Sequence, residues 1–146
     1  MKSWSAELPY FSAAEISCRC CGTIKIDMRM AAMLPALRLS WGSALTLNSF
    51  CRCPKHNVRV SGHVTSLHLT QNPKWDTSGS AAVDVNWKEW PTDQKLLFAR
   101  TAHVNGFRVG LHNSFCHIDI GRLLGLNPRP FVYGQWDNAF SQDEVL

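Results

Sequence analysis

Two segments of this 146-residue chain set imidazole and carboxylate side chains in apolar, strand-like sequence. The first contains His68 and Asp84, and the second contains His117. Two imidazoles and one carboxylate suit a zinc site that keeps its fourth position open for water. A zinc ion with an open position lowers the pKa of bound water and polarises a carbonyl group, which is the chemistry of peptide hydrolysis. We therefore predict a Zn²⁺ site with His68, Asp84 and His117 as ligands.

Two neighbouring residues compete for roles at this site. His63 is an alternative to His68 as a ligand. Asp119 lies two residues after His117, so that both side chains share one face of a strand. Asp119 is therefore expected either to move a proton during the reaction or to hold the His117 ring in position.

Composition and charge restrict the class of protein. An apolar content of 45% and a charged content of 18% are those of a folded domain, and 146 residues suffice for one core. The net charge of +4 is scattered, and neither a basic run nor a nucleic-acid motif accompanies it. No apolar stretch reaches the 18 residues of a membrane span. We expect a monomer that binds no nucleic acid and does not cross a membrane.

The N-terminal residues carry one lysine but lack the apolar segment of a secretory signal. We therefore expect synthesis in a cytoplasm. A substrate outside that compartment would require a separate route of release.

The cysteines form two groups and one single residue: Cys18, Cys20 and Cys21, then Cys51 and Cys53, then Cys116. Without a secretory signal, disulfides are less favoured than free thiols. The first five cysteines are also candidates for a second, structural metal site, although their C-x-C-C and C-x-C spacings differ from the usual C-x₂-C. Free thiol, disulfide and structural zinc are all kept as alternatives. Strand alternation should turn Cys116 away from the His117 face and into the core.

Apolar periodicity predicts the elements that must position the ligands. An amphipathic helix is expected over residues 27–40, capped by Asp27 and distorted at Pro35. Further segments are expected as short helices at 11–16 and 55–60, a helix from 91 to 102, and strands at 45–50, 81–85, 107–111 and 115–120. This pattern predicts an α+β fold with a mostly antiparallel sheet, N-terminal helices packed on one face and the zinc site on the open face.

The chain divides into a domain at residues 1–121 and a C-terminal extension at residues 122–146. Within the domain, residues 1–10 are expected to form an N-terminal arm. The extension contains Pro128, Pro130 and several aromatic residues, and it gives no clear periodicity.

The order of several short motifs closely resembles the D-alanyl-D-alanine carboxypeptidase family of zinc peptidases. The matching residues are Phe11-Ser12 with Glu15, Cys18 with Cys20, Leu45-Thr46-Leu47, Arg52-Cys53-Pro54, His56-Asn57, Ser66-x-His68, Ala82-x-Asp84 and Phe115-x-His117-Ile118-Asp119. The resemblance covers about residues 11–121. This family includes many phage endolysins and shares its fold with the hedgehog signalling domain, so that a hedgehog/DD-peptidase-like fold is expected.

The chain departs from the family pattern between the first two ligands. The pattern Ser-x-His-x-x-Gly-x-Ala-x-Asp places histidine and aspartate seven residues apart, whereas His68 and Asp84 are sixteen apart, with Ser80 at the glycine position. A nine-residue insertion at about 69–77 accounts for the difference. Because a longer loop adds little closure entropy, the ligands can still meet.

The resemblance also implies roles for residues around the metal. Arg52 stands where the family keeps an arginine near the substrate, and Ser66 is expected to help bind substrate. Many relatives place an acid three residues before the last ligand, where this chain has Ser114. Another branch places a histidine five residues before it, which corresponds to His112. His112 and Asp119 are therefore alternatives for the catalytic base.

The activity implied by this resemblance is hydrolysis of peptidoglycan peptides by a D-Ala-D-Ala carboxypeptidase or endopeptidase. Such an enzyme would act on the bacterial cell wall as a phage-type lysis protein, with a holin for its release or as a virion-associated peptidase. Because Ser114 replaces an acid, the alternative is a catalytically inactive, zinc-containing binding or virion structural protein of the same fold.

Overall fold

A computed structural model describes residues 2–146, and it contains a two-stranded and a five-stranded sheet combined with helices. The elements are β1 (Ser3–Trp4), α1 (Ala13–Ile16), β2 (Ile26–Asp27), α2 (Met28–Trp41), β3 (Leu47–Ser49), α3 (Pro54–Arg59), β4 (Ala82–Asn86), α4 (Thr92–Val104), β5 (Arg108–Leu111), β6 (Phe115–Asp119) and β7 (Phe131–Val132). Short 3₁₀ turns follow at Gly121–Leu124 and Gln142–Val145. The predicted α+β class is confirmed.

The larger sheet has the strand order β3-β4-β6-β5-β7. All its pairings are antiparallel except the parallel pairing of β5 with β7. The register of β4 against β6 places Asp84 directly opposite His117. The N-terminal arm enters the second sheet, where β1 pairs with β2.

One face of the large sheet forms the core together with α2 and α4. Met30, Leu34 and Leu37 on α2 are fully buried, as are Phe98 and Ala102 on α4. These residues belong to one cluster with the inward side chains of the central strands, namely Val83, Val85, Val109, Leu111, Cys116 and Ile118. Because side chains alternate along a strand, the intervening residues of β4 and β6 face the other way. The predicted core position of Cys116 is confirmed.

The longest helix begins where the sequence indicates. The Asp27 carboxylate accepts a hydrogen bond from the Arg29 backbone N–H at 2.9 Å, which caps the first turn of α2. The helix continues through Pro35 and ends at Gly42, whose φ of +83° lies in the left-handed region that glycine tolerates.

The C-terminal extension packs against the rest of the chain. Strand β7 joins the edge of the large sheet beside β5. Further along, Phe140 and Val145 are buried in the common core, and the Arg100 Nε donates to the Glu144 carbonyl at 2.6 Å. Residues 122–146 therefore complete the sheet and core that residues 1–121 begin.

Among residues 2–146, no helix combines the length and apolar composition needed to cross a membrane.

Candidate metal centre

Three side chains converge on the face of the large sheet that is turned away from α2 and α4. The Asp84 Oδ1 atom lies 3.2 Å from His68 Nε2 and 3.0 Å from His117 Nδ1. The three ligand atoms all lie within 4.8 Å of one another, and the three residues are buried. His68, Asp84 and His117 thus form a group that could hold a metal ion, as the sequence predicts.

The remaining nitrogen of each imidazole is engaged by a hydrogen-bond acceptor. His68 Nδ1 donates to the Phe50 carbonyl at 2.9 Å, and His117 Nε2 donates to Asp119 Oδ2 at 2.8 Å. A neutral imidazole, the form that binds metal, has one N–H and one lone pair. With the N–H groups engaged in these bonds, the lone pairs available to a metal ion are those of His68 Nε2 and His117 Nδ1, the two nitrogens beside Asp84. Such outer hydrogen bonds are typical of histidine ligands in zinc sites, so the donor set fits Zn²⁺.

Burial and charge shift the pKa values of the three residues. Burial lowers the pKa of His68, although the Asp84 carboxylate opposes this shift. Burial would also lower the pKa of His117, but hydrogen bonds from its ring to the carboxylates of Asp119 and Asp84 outweigh burial and raise the pKa to about 9. Burial alone would raise the pKa of Asp84, yet the two imidazoles lower it below its ordinary value. The carboxylate is therefore ionised over the physiological range and can attract a cation.

Asp119 is tied to the ring of His117 and to the adjoining backbone. Besides His117, its two oxygens accept hydrogen bonds from Arg108 Nε at 3.0 Å, Arg108 Nη2 at 2.7 Å and the Gly121 N–H at 2.8 Å. Burial would raise the pKa of Asp119, but the partners His117 and Arg108 lower it to about 2. This geometry suits a carboxylate that orients a histidine ligand.

Arg52 lies beside the carboxylate of Asp84. Its Nη2 is 3.4 Å from Asp84 Oδ2, and its Nε donates to Ser49 Oγ at 2.9 Å. Arg52 is only 7% exposed, and in this structure its buried guanidinium forms an ion pair with a candidate ligand. The ion pair leaves Asp84 Oδ1 to the two imidazoles.

His63 lies outside the group that could bind the metal. Its Nδ1 accepts a hydrogen bond from the Thr65 backbone N–H at 3.1 Å. Ser66, in contrast, supports a ligand directly, because its Oγ accepts from the His68 backbone N–H at 3.2 Å. Both His63 and Ser66 line the cavity beside the metal centre.

His112 follows β5 and stacks on Phe115, with ring centroids 4.2 Å apart. The Ser114 backbone N–H donates to His112 Nδ1 at 3.0 Å. Burial lowers the pKa of His112, while the charge of Asp84 opposes the shift. The ring is therefore neutral near pH 7 and carries its proton on Nε2.

A cavity of about 320 Å³ opens beside His117. Its aromatic wall includes Phe131 and Tyr133 of the C-terminal extension, and Trp75 of the inserted loop adds to it. The Tyr133 ring stacks on His117 with centroids 4.6 Å apart and nearly parallel planes. The cavity therefore lies next to the candidate metal centre, on the side of His117. A larger cavity of about 450 Å³, between α3 and residues 71–73, contains none of the three ligands.

Tyr133 and Phe131 were not anticipated from the sequence. Their place depends on the parallel pairing of β7 with β5, which sets Phe131 opposite Gly110. A Cβ atom at Gly110 would come within 2.7 Å of the Phe131 ring and 3.2 Å of the His117 Cβ. A glycine within a strand is a signal of such close approach, and it was the one available indication.

An α+β fold that brings two histidines and an aspartate together beside a cavity defines a candidate metallohydrolase. The chain matches the family model described as Peptidase M15 over residues 9–119. It therefore belongs to this family of zinc-dependent peptidases, within the D-Ala-D-Ala carboxypeptidase superfamily. Searches of curated proteins and of solved structures gave no significant match.

Proposed function

We propose that this protein is a zinc peptidase that hydrolyses peptide bonds of peptidoglycan, as a D-Ala-D-Ala carboxypeptidase or an endopeptidase. The observation that carries the proposal is the convergence of His68, Asp84 and His117, each with a hydrogen-bonded partner behind it. Bound there, Zn²⁺ would supply a Lewis acid that activates water and polarises the scissile carbonyl. Family membership supports the peptidase chemistry.

The protein residues around the centre would hold these ligands in a fixed geometry. We assign Arg52 to the orientation of Asp84, through the contact between Nη2 and Oδ2. We assign Asp119 to the orientation of the His117 ring, because its oxygens are already occupied by three residues. Fixed ligands reduce the reorganisation that the reaction requires.

We assign His112 to the reacting groups themselves. His112 lies one residue beyond β5, and alternation from Gly110, which pairs with His117, places it on the same side of the sheet. Because the Ser114 N–H donates to Nδ1, the neutral ring carries its proton on Nε2. A donor in this position would stabilise the negative charge that develops on the carbonyl oxygen. Of the two residues expected to assist the chemistry, His112 is also the more exposed, whereas Asp119 is fully buried.

The cavity supports a peptide as the substrate. Trp75, Phe131 and Tyr133 give it apolar walls, and Thr65 and Ser66 add polar groups. Ser66 would contact the peptide backbone at the rim. The choice of peptidoglycan, and of a phage-type lysis role with a holin or a virion for delivery, rests on the motif resemblance.

Digestion of purified peptidoglycan tests the proposal. We expect zinc-loaded protein to release muropeptides with a shortened stem or an opened cross-bridge, as identified by mass spectrometry. A chelator and the substitution His117→Ala should each abolish the release. His103→Ala, on the distant helix α4, is the matched control and should retain activity.

A folded, zinc-loaded protein that releases no muropeptide would contradict the proposal. That result would support the inactive binding or virion structural protein instead. Cleavage of other peptides, but not of peptidoglycan, would retain the peptidase and overturn only the substrate.

A further inference from the structure

A second group of potential metal ligands lies in loops, outside the group of His68, Asp84 and His117. We call that first group the sheet-face centre. The sulfur atoms of Cys18, Cys21 and Cys53 all lie within 4.8 Å of one another. A tetrahedral zinc site with Zn–S bonds of about 2.3 Å has sulfurs roughly 3.8 Å apart. Within the described chain all six cysteines are free thiols, so that no disulfide competes for these sulfurs. Small movements of the side chains would bring the three into coordination distance.

The spacing within the first loop is that of a zinc knuckle. The sequence run C-x-C-C differs from the usual pattern when it is read as a whole, but its outer pair, Cys18 and Cys21, has the spacing C-x₂-C. The loop closes through hydrogen bonds from the Gly22 N–H to the Cys18 carbonyl at 2.8 Å and from the Cys18 N–H to the Thr23 carbonyl at 2.9 Å. Gly22 adopts a φ of +73°, which glycine permits. The structure thus groups Cys18 with Cys21, a C-x₂-C pair that is not evident when the run is read as a whole.

Backbone N–H groups already point at two of the three sulfurs. The Cys53 N–H donates to Cys18 Sγ at 3.3 Å, and the His56 N–H donates to Cys53 Sγ at 3.3 Å. Such hydrogen bonds are stronger when the sulfur is an anionic thiolate. The backbone is therefore arranged to stabilise the charged form that binds metal.

A fourth thiol and an arginine adjoin the group. The fourth thiol is that of Cys20, which lies between Cys18 and Cys21 in the sequence. The Arg59 Nη1 lies 3.6 Å from Cys20 Sγ. A nearby cation favours thiolates and compensates part of the negative charge of a zinc–cysteine site. Cys20 is therefore a candidate for the fourth position.

We propose that Cys18, Cys21 and Cys53 bind a second Zn²⁺, with Cys20 completing a closed structural site. An all-sulfur set without an open position is typical of zinc ions that stabilise a fold and do not catalyse. This site is separate from the sheet-face centre and does not depend on the proposed hydrolysis.

A metal ion at this position would cross-link two segments of the chain. It would link the loop 18–23 to Cys53, which directly follows Arg52. The Arg52 N–H donates to the His68 carbonyl at 3.0 Å, and the Phe50 carbonyl accepts from the His68 ring. The second zinc would therefore secure the segment that holds one ligand of the first.

Metal content measured on the full chain, purified under reducing conditions, tests the proposal. We expect about two Zn²⁺ per chain in the wild type and about one in the double variant Cys18→Ser/Cys21→Ser. The double variant Asp84→Ala/His117→Ala should also retain about one, held by the thiols. Cys116→Ala, a thiol in the core away from the group, is the matched control and should retain both.

X-ray absorption identifies the ligands on the wild-type protein alone, and cobalt spectra of the two double variants assign them to each centre. Zinc-edge X-ray absorption of the wild type should show sulfur scatterers at about 2.3 Å beside nitrogen and oxygen. Cobalt-loaded Asp84→Ala/His117→Ala should show thiolate-to-metal charge-transfer absorption, which the Cys18→Ser/Cys21→Ser variant should lack. One zinc per chain without sulfur scatterers would overturn the proposal. Disulfides among the three cysteines under the same reducing conditions would overturn it as well.

Discussion

The histidine–aspartate centre on the sheet and the proposed cysteine centre in the loops are built in different ways. His117 and Asp84 lie on paired central strands, and each candidate ligand on the sheet has a hydrogen-bonded partner behind it. Cys18, Cys21 and Cys53 lie in loops, and Cys21 is exposed. The first centre adjoins a cavity, whereas the cavity is not lined by any of the three cysteines. Strands and outer hydrogen bonds fix a geometry before the metal binds, while loops depend on the metal to fix them.

This difference leads to opposite expectations for the metal-free protein. The sheet-face centre contains a buried carboxylate, a buried arginine and two buried imidazoles, so that the loss of one charge leaves another unpaired. The thiol group is neutral when protonated and leaves no buried charge. Predictions that separate the two centres follow in order of decreasing effect.

The largest effect is expected from Asp84→Ala. This change removes the charge that two imidazoles and Arg52 share, and it leaves the guanidinium of Arg52 buried without its partner. We expect hydrolysis to fall to background and the metal-free protein to lose about 3–5 kcal/mol of unfolding free energy in urea. As a single change in the metal-free protein, Cys21→Ser should alter the unfolding free energy by about 0.5 kcal/mol or less. Equal losses from the two changes would contradict the contrast between the centres.

His112→Ala should affect the reaction and leave the metal in place. Loss of its Nε2–H donor should lower kcat by roughly 10²–10³-fold. Zinc content, measured by atomic emission, should match that of the wild type. Unchanged kcat would exclude His112 from the reaction.

Asp119→Asn should weaken the first centre without touching the second. The amide keeps the shape but lacks the charge that stabilises the N–H of His117. We expect zinc affinity at the sheet-face centre to fall by about 10–100-fold, as measured by competition with a chromophoric chelator. A collapse of kcat with unchanged zinc affinity would instead assign proton transfer to Asp119.

The smallest effect is expected at Asp27, a buried carboxylate that belongs to neither centre. Its oxygens accept from Arg29 and from the Ser78 N–H at 3.0 Å, next to the inserted loop. Burial would raise the pKa of Asp27, but these partners lower it below its ordinary value. Asp27→Asn should cost about 1–2 kcal/mol of unfolding free energy.

The pH dependence of Asp27 has a defined sign. Because its pKa is lower in the folded state, its contribution is fully present above about pH 4 and is lost as the pH falls below that value. Unfolding curves of Asp27→Asn and of the wild type should therefore converge in acid. A constant difference at every pH would show that the hydrogen bonds, and not the charge, provide the stability.

The inserted loop and the strands differ in how much of their structure the sequence pattern predicts. Alternation in Phe115–Asp119 was enough to separate Cys116 from His117, because side-chain direction in a strand is a local property. The distance between His68 and Asp84 along the chain was not informative about their separation in space. Two hydrogen bonds, from the Ala81 backbone N–H to the Leu67 carbonyl and from the Ser80 hydroxyl to the His68 carbonyl, close the insertion and restore the contact.

The sequence by itself determined which residue types were available: two imidazoles and a carboxylate for one centre, and a group of thiols for another. It also determined the faces of strands and helices, since periodicity is encoded in neighbouring residues. Only the tertiary structure decided which ring nitrogen faces Asp84, that Asp119 is bound to His117 and Arg108, and that Tyr133 covers the site. These features depend on strand register and on packing between segments far apart in the chain, which no local pattern specifies.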